Sequence, residues 1–383
     1  MQNPKIVIQY PFITLYRITI FQKLSRSSVY DYTFWAGKAA PDKFLKSAFN
    51  DSGLNVEEIP LSTFRIPFVN KLFELQFSAL LKLLRTRPDV YIILANPNSL
   101  SSWLCMAVAR IAGSVVLAWS HGFLSDEKGL KGWVRTLFYR LAHGHLLYGN
   151  RAKQIMLDKG FDGDRIDVIF NSLDYATQSR LRDALGYADR EKTRISLGID
   201  PDALVLISIG RLMSKLKIDQ AIQGVRQLND MGKKTYLLVI GDGPEKQRLT
   251  GLTETLKLAK HVVFYGACHN EQELSTLYNA ADISVVMGKV GLSAMHSLAY
   301  GIPLITNNTL SQHYPEIEAV IDGKTGWYFN EDDIADLIDK LNHIEPLEYR
   351  GKYYRNCTAI IETSYTPEMQ AHLIQAAIAK YLH

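Results

Sequence analysis

The chain has 383 residues, too many for one comfortable core and suited to two domains of ordinary size. Hydrophobic residues make up 47% and charged residues 21%, which excludes a disordered chain; a formal net charge of +4, with no accompanying binding motif, gives no indication of nucleic acid. Cys105, Cys268 and Cys357 lie far apart, so neither a disulfide framework nor a zinc site is expected, and a reducing compartment fits.

The N-terminus, "MQNPKIVIQY", runs directly into a strand-like segment with no signal-peptide pattern. Strands are expected at 5–10, 90–95, 114–120, 145–149 and 166–170, with helices over 71–85 and 99–112. Such alternation predicts a parallel sheet covered on both faces, with ligands beyond the carboxyl ends of its strands. Tyr16 and Arg17 fall in the loop after the first strand, where Arg17 either faces an anionic ligand or opens a helix at the surface. His121, in "AWSHGF" (118–123), follows another strand and is a candidate donor to a sugar oxygen, though one histidine at a strand end is a weak signal. The apolar region 90–120 is interrupted by Asn96, Asn98 and Arg110, so no membrane-spanning segment is expected. Two stretches, 64–87 and 128–140, mix basic and aromatic residues. In the second, Lys128, Lys131, Arg135 and Arg140 accompany Trp133, Phe138 and Tyr139. A basic amphipathic helix with a tryptophan suits an anionic membrane surface. The plainer reading is an apolar stripe facing the core and a solvated basic face. "DGD" at 162–164 reads as a surface turn and not as a metal motif.

A domain boundary is expected near "FNSLD" (170–174), with a helical connector through about residue 197. The second half then repeats the pattern, with strands at 203–210, 236–241, 262–266, 283–287 and 303–306 and helices at 217–230, 244–257 and 271–280. The segment 366–383 reads as a closing amphipathic helix. Arg211 directly follows Gly210 at a strand end, and Lys215 and Lys217 open the next helix. That combination suits a diphosphate, or else a solvated basic turn. Gly241 and Gly243, in "VIGDGPE", form either a ligand-contacting loop or only a tight connection. In "MGKVGLSAMHSLAYGIPLIT" (287–306), Gly288, Lys289, Val290 and Gly291 make a turn before a helix that starts at Leu292. Amides at such a turn offer donors to phosphate or sugar. His296, inside that helix, reads by itself as a core histidine.

Taken in order, Gly210-Arg211-Leu212, Gly241 with Gly243-Pro244, "VVFYG" (262–266), "LYNAADI" (277–283), "GLSAMHSLAYGIPLIT" (291–306) and "PEIEAVIDGKTG" (315–326) resemble the retaining glycosyltransferases of family 4. The resemblance implies an α/β GT-B fold, two Rossmann-like β/α/β domains with an interdomain cleft. It places the acceptor-side domain at 1–173 plus 361–383 and the nucleotide-sugar donor domain at 174–360. By the same resemblance Arg211 holds the donor diphosphate, and the amides of Gly288 to Leu292 contact phosphate or donor sugar. The strand end at Tyr265, Gly266 and Ala267 borders the base, and His121 lies near the donor sugar.

The sequence departs from the family pattern in two places. The family's paired glutamates fall on Gly288 and His296, neither acidic, and its lysine falls on Leu216, between Lys215 and Lys217. Activity survives this in principle. In a front-face displacement the leaving phosphate takes the acceptor proton, and stabilising charge on the diphosphate is the main requirement. An imidazole can also hydrogen-bond a ribose hydroxyl. The expected enzyme is a retaining hexosyltransferase-type glycosyltransferase, with His121, Arg211 and Lys217 as its catalytic groups and Tyr16 and Arg17 on the acceptor side. Its co-substrate is a UDP- or GDP-linked sugar, with no metal or other cofactor. Its acceptor is a glycan or lipid-linked sugar in bacterial surface polysaccharide, lipopolysaccharide or glycolipid synthesis, at the cytoplasmic face of the membrane. The alternative is a non-catalytic subunit that binds a partner or glycan; another GT-B enzyme, such as an epimerase, fits the motif order less well.

Overall fold

Apolar β-branched runs without polar alternation need cover on both faces, and in this chain they pair side by side as parallel strands. The computed structural model describes residues 3–38, 47, 49, 53–65, 72–344 and 346–382. Two compact units emerge: Met1–Leu173 with Thr366–His383, and Asp174–Tyr365.

In the first unit, β1 (Lys5–Phe12) leads through a 3-10 turn (Leu15–Arg17) into α1 (Ile18–Ser25), β2 (Asp31–Gly37) and β3 (Val56–Glu58). β4 (Ser62–Arg65) and β5 (Leu72–Leu75) form a separate antiparallel pair. Then α2 (Ser78–Thr86), β6 (Val90–Leu94), α3 (Leu100–Ile111), β7 (Val115–Ser120), α4 (Gly129–Tyr139), β8 (Gly144–Leu147), α5 (Asn150–Asp158) and β9 (Ile166–Val168) alternate. The main sheet runs β3-β2-β1-β6-β7-β8-β9, parallel at each pairing. The helix expected over 71–85 needs correcting. Leu72–Leu75 is a strand and the helix begins at Ser78, while residues 66–71 of the basic stretch lie outside the described residues. Four residues such as "LFEL" fit either period, so pairing with Ser62–Arg65 decides the matter. Asp162 caps a short 3-10 turn at 163–165, so "DGD" serves the connection before β9.

The second unit comprises α6 (Tyr175–Asp183), α7 (Tyr187–Ser196), β10 (Leu204–Ile209), α8 (Ile218–Asp230), β11 (Thr235–Ile240), α9 (Lys246–Thr255) and β12 (Val262–Gly266). It continues with α10 (Glu271–Ala280), β13 (Ile283–Val286), α11 (Leu292–Ala299), β14 (Leu304–Asn307), β15 (Gly326–Phe329), α12 (Ile334–Asn342) and α13 (Pro346–Ser364). The sheet runs β12-β11-β10-β13-β14-β15, again parallel. α7 is tied to it by buried charge. Arg194 Nη2 donates to Asp282 Oδ2 at 2.7 Å, Arg190 pairs with the other oxygen, and the Val205 amide completes the carboxylate's shell at 2.8 Å. Removing one partner of such a set leaves an uncompensated buried charge, which makes the attachment of α7 hard to undo.

The chain crosses back to the first unit as α14 (Pro367–Ala379). The crossing comes at Thr366 and not at residue 361, because α13 continues unbroken to Ser364. α14 and α1 cover one face of the first sheet through Phe21, Leu24, Ile374 and Ile378. α2, α3, α4 and α5 cover the other through Leu83, Met106, Phe138 and Met156.

Strand order places the sites. In the first unit the order reverses between β1 and β6, and in the second between β10 and β13. Such switch points open a crevice at the carboxyl ends of the strands, where ligands bind.

Candidate active site

At the switch point of the second unit the loops after β10, β11 and β13 pack backbone to backbone. Gly210 N–H donates to Ile240 O at 3.0 Å, Gly241 N–H to Gly266 O at 2.8 Å, and Leu212 N–H to Asp242 O at 2.9 Å. Three glycines make this approach possible. A β-carbon at Gly241 would stand 1.9 Å from Gly210 O, one at Gly243 2.4 Å from Leu212 O, and one at Gly288 1.9 Å from Lys215 O. The glycines of both "GDG" and "MGK" are therefore contact residues between loops.

The loop before α11 is clamped from behind. His313, fully buried, accepts the Val290 amide on Nδ1 at 3.0 Å and donates from Nε2 to Asn307 O at 3.0 Å. This pattern sets the neutral tautomer with its proton on Nε2. Asn307 Nδ2 donates to the carbonyls of Met287 and Gly288 at 3.0 and 3.1 Å. The Val290 amide, expected to face a ligand, is thus taken by the protein. The amides of Gly291 and Leu292 open α11, where no intrahelical acceptor exists for them, and carry the positive end of the helix dipole.

Two lysines, Lys289 and its neighbour Lys215, stand near this helix start. Lys289 Nζ lies 3.7 Å from the Tyr314 ring centroid. Burial first, and the neighbouring Lys215 ammonium second, hold Lys289 below the ordinary lysine range. Arg211 is exposed on the loop after β10. Lys217 does not join them. It adopts a left-handed conformation (φ 50°) at the start of α8 and donates to Glu331 Oε1 at 2.9 Å and Asp332 Oδ1 at 2.6 Å. Two carboxylates thus hold the Lys217 ammonium, expected to neutralise a diphosphate, and Lys215 is the lysine beside Lys289.

His296 is held by a network that its sequence neighbours do not announce. Gln178 Nε2 lies 3.1 Å from His296 Nδ1 and 2.9 Å from Glu271 Oε1, which also accepts from the Tyr300 hydroxyl at 2.8 Å. Gln178 thus bridges the imidazole and the carboxylate. The Glu271 carboxylate lies 3.7 Å from the imidazole. Burial alone would raise the Glu271 pKa, but His296, Gln178 and Tyr300 together hold it at about 2. At the end of β12, the Tyr265 hydroxyl donates to Glu273 and Cys268 Sγ lies 3.2 Å from the same carboxylate. Gly266 (φ 97°) turns the chain there before Ala267.

In the first unit the predicted residues meet around an unpredicted tyrosine. Tyr148, at the end of β8, accepts from Arg17 Nη2 at 2.7 Å, and its ring centroid lies 4.8 Å from that of His121. Arg17 Nη1 donates to Asn171 Oδ1 at 2.7 Å, and its guanidinium stacks over Trp119 and Tyr148. Arg17 is only 5% exposed, so it is not a surface residue at a helix start; beside it Tyr16 is exposed. The sequence signal for Tyr148 and Asn171 was their place at the ends of apolar runs, the same signal that singled out His121.

Residues 189–362 match the family model described as Glycosyl transferases group 1. The match lies within the second unit. The alpha-monoglucosyldiacylglycerol synthase of Acholeplasma laidlawii is 28% identical to this chain over 153 residues, 39% of the chain and 36% of that protein. The putative colanic acid biosynthesis glycosyltransferase WcaL of Escherichia coli K12 is 29% identical over 154 residues, 38% of the chain and 37% of that protein. The matched region thus spans little more than a third of the length of either relative. Anabaena HepE, solved in complex with UDP, superimposes with a TM-score of 0.75 at 16% identity, covering 99% of this chain and 100% of that one. The fold is GT-B, as the motif order implied.

Proposed function

We propose that this glycosyltransferase moves a sugar from a UDP- or GDP-linked donor to a glycan or lipid-linked acceptor, with retention and without a metal ion, in bacterial surface polysaccharide or glycolipid synthesis at the inner face of the membrane. The observation that carries the reading is the meeting of Lys215, Lys289 and the α11 amides at the switch point, on the loops that also carry Arg211. Charge grows on the leaving diphosphate in the transition state, and preorganised cations and amides stabilise it there without reorganising. The bond from the anomeric carbon to the phosphate oxygen breaks, with its electron pair going to phosphate. The acceptor oxygen bonds the same face of that carbon, and its proton passes to the departing phosphate. No carboxylate nucleophile is needed, which accords with a Gly288 that has no room for a side chain. In this reading the His296 imidazole hydrogen-bonds a ribose hydroxyl, Tyr265 to Ala267 border the base, and His121 positions the donor sugar. HepE is solved with UDP, and the synthase from Acholeplasma is named for a glycolipid product; both names agree with this class of donor and acceptor.

The missing acids at Gly288 and His296 also favour a second reading, a non-catalytic subunit. A thermal-shift screen of nucleotides and nucleotide sugars separates the two, because a ligand that binds only the folded state raises its melting temperature. UDP or GDP should stabilise the chain and Arg211→Ala should abolish the shift. No response to any nucleotide would favour the subunit.

A further inference from the structure

Beyond the first turn of α11 the helix is closed to solvent except at one residue. Ala294, Met295, Ser297, Leu298 and Ala299 are buried, whereas the His296 side chain is 22% exposed. His296 stands one turn after Leu292, on the face that begins at the helix start. Its imidazole is held on one side only. Nδ1 lies 3.1 Å from Gln178 Nε2 on α6 and 3.7 Å from Glu271 Oε1 on α10, while none of the described residues hydrogen-bonds Nε2. A histidine that served only the core would have both nitrogens satisfied. This one keeps a nitrogen for something outside the protein. Glu271, for its part, is placed to stay ionised. It opens α10, where the helix dipole favours an anion, and it accepts from Gln178 Nε2 and from the Tyr300 hydroxyl. The Tyr300 ring is backed in turn by Tyr278, stacked at 4.9 Å.

We infer that Glu271 and Gln178 are positioning residues for nucleotide recognition: through the His296 imidazole they bring to the ribose the negative charge that the family pattern places directly at position 296. A carboxylate beside one ring nitrogen orients the imidazole and strengthens the hydrogen bond made by the other. The acid then stands one layer behind the ligand, on α10 and not on α11. With Glu271 in place, a glutamate at 296 would set carboxylate against carboxylate, and two that share a site do not both stay ionised. The inference rests on the proposed nucleotide-sugar donor and deepens it at the ribose.

The test is calorimetry of the full chain with UDP, 2′-deoxy-UDP and 3′-deoxy-UDP, and with the corresponding guanine nucleotides. Wild type should bind the ribonucleotide at least about tenfold more tightly than one of its deoxy analogues, the loss of one strong hydrogen bond. Glu271→Gln should raise the Kd of the ribonucleotide about tenfold and that of the deoxy analogue by less than about twofold, which erases the discrimination. Gln178→Met, which removes the bridge and keeps the carboxylate, should lower the discrimination by about threefold. Residues that only stabilised the fold would weaken both nucleotides alike or neither. His296→Glu alone should lose the discrimination too, whereas Glu271→Gln with His296→Glu should recover most of it, because a single carboxylate is again present and nothing opposes it. Circular dichroism at the calorimetry temperature checks that each variant is folded. Equal binding of ribo- and deoxynucleotides by wild type, full discrimination in folded Glu271→Gln and Gln178→Met variants, or no recovery in the double variant would overturn the inference while nucleotide binding itself stands. No binding of any nucleotide by wild type would overturn the donor reading and this inference with it.

Discussion

Gly288 and Lys215 meet with no space for a side chain between them: a β-carbon at Gly288 would stand 1.9 Å from the Lys215 carbonyl oxygen and 3.1 Å from the Leu216 α-carbon. This contact ties the loop after β13 to the loop after β10 and sets the two lysines of the switch point side by side. It also leaves no room for the acid that the family pattern places here. Gly288→Ala should cost about 1–3 kcal/mol, as overpacking does, and Gly288→Glu more. Urea denaturation and UDP calorimetry check this together. A Gly288→Glu protein of native stability and unchanged UDP affinity would show that the loops part easily.

The three lysines should not contribute equally. Lys215→Met and Lys289→Met should each raise the Kd for UDP by about tenfold, the loss of one charge-assisted hydrogen bond. Lys217→Met should change it by less than about threefold and act on stability instead, because Glu331 and Asp332 hold that ammonium. If Lys217→Met proved the most damaging to nucleotide binding, its ion pairs must open for the ligand and Lys217 is the diphosphate lysine.

His313→Ala should destabilise the chain by about 2–3 kcal/mol, since it strands the Val290 amide and the Asn307 carbonyl in a buried site. Hydrogen exchange at Val290 should accelerate by at least about tenfold relative to the core strands. Unaltered exchange there would mean that the clamp lies elsewhere.

Glu271 predicts a pH dependence whose sign is set by its depressed pKa. Its folded-state value of about 2 lies below the ordinary 4.5. The carboxylate therefore contributes stability that is fully present above about pH 5 and lost as pH falls toward 2. Glu271→Gln should remove this contribution, so wild type and variant should differ in urea midpoint at pH 6 and converge near pH 2. A difference that stays constant with pH would show that ionised Glu271 is not what His296 and Tyr300 stabilise.

Much of this chain was legible from local pattern. The two parallel sheets follow from apolar β-branched runs separated by amphipathic helices, a periodicity set by backbone geometry alone. The ordered motifs around Arg211, Gly241 and Gly291 lie in the region that matches the glycosyltransferase group 1 model, and close backbone approach selects glycine at Gly241. Leu72–Leu75 is a strand where the pattern predicts a helix, because a short apolar run satisfies both periods. What only the tertiary structure decided were pairings between residues distant in sequence. Lys217 and Lys215 are equivalent in sequence, but Glu331 and Asp332, more than a hundred residues away, capture one and leave the other beside Lys289. His296 and Glu271, Arg17 and Tyr148, and His313 and Val290 likewise meet only when the strands are ordered. Hydrogen bonds and ion pairs act over a few ångströms, and a linear sequence carries no record of which distant groups the fold will bring within that range.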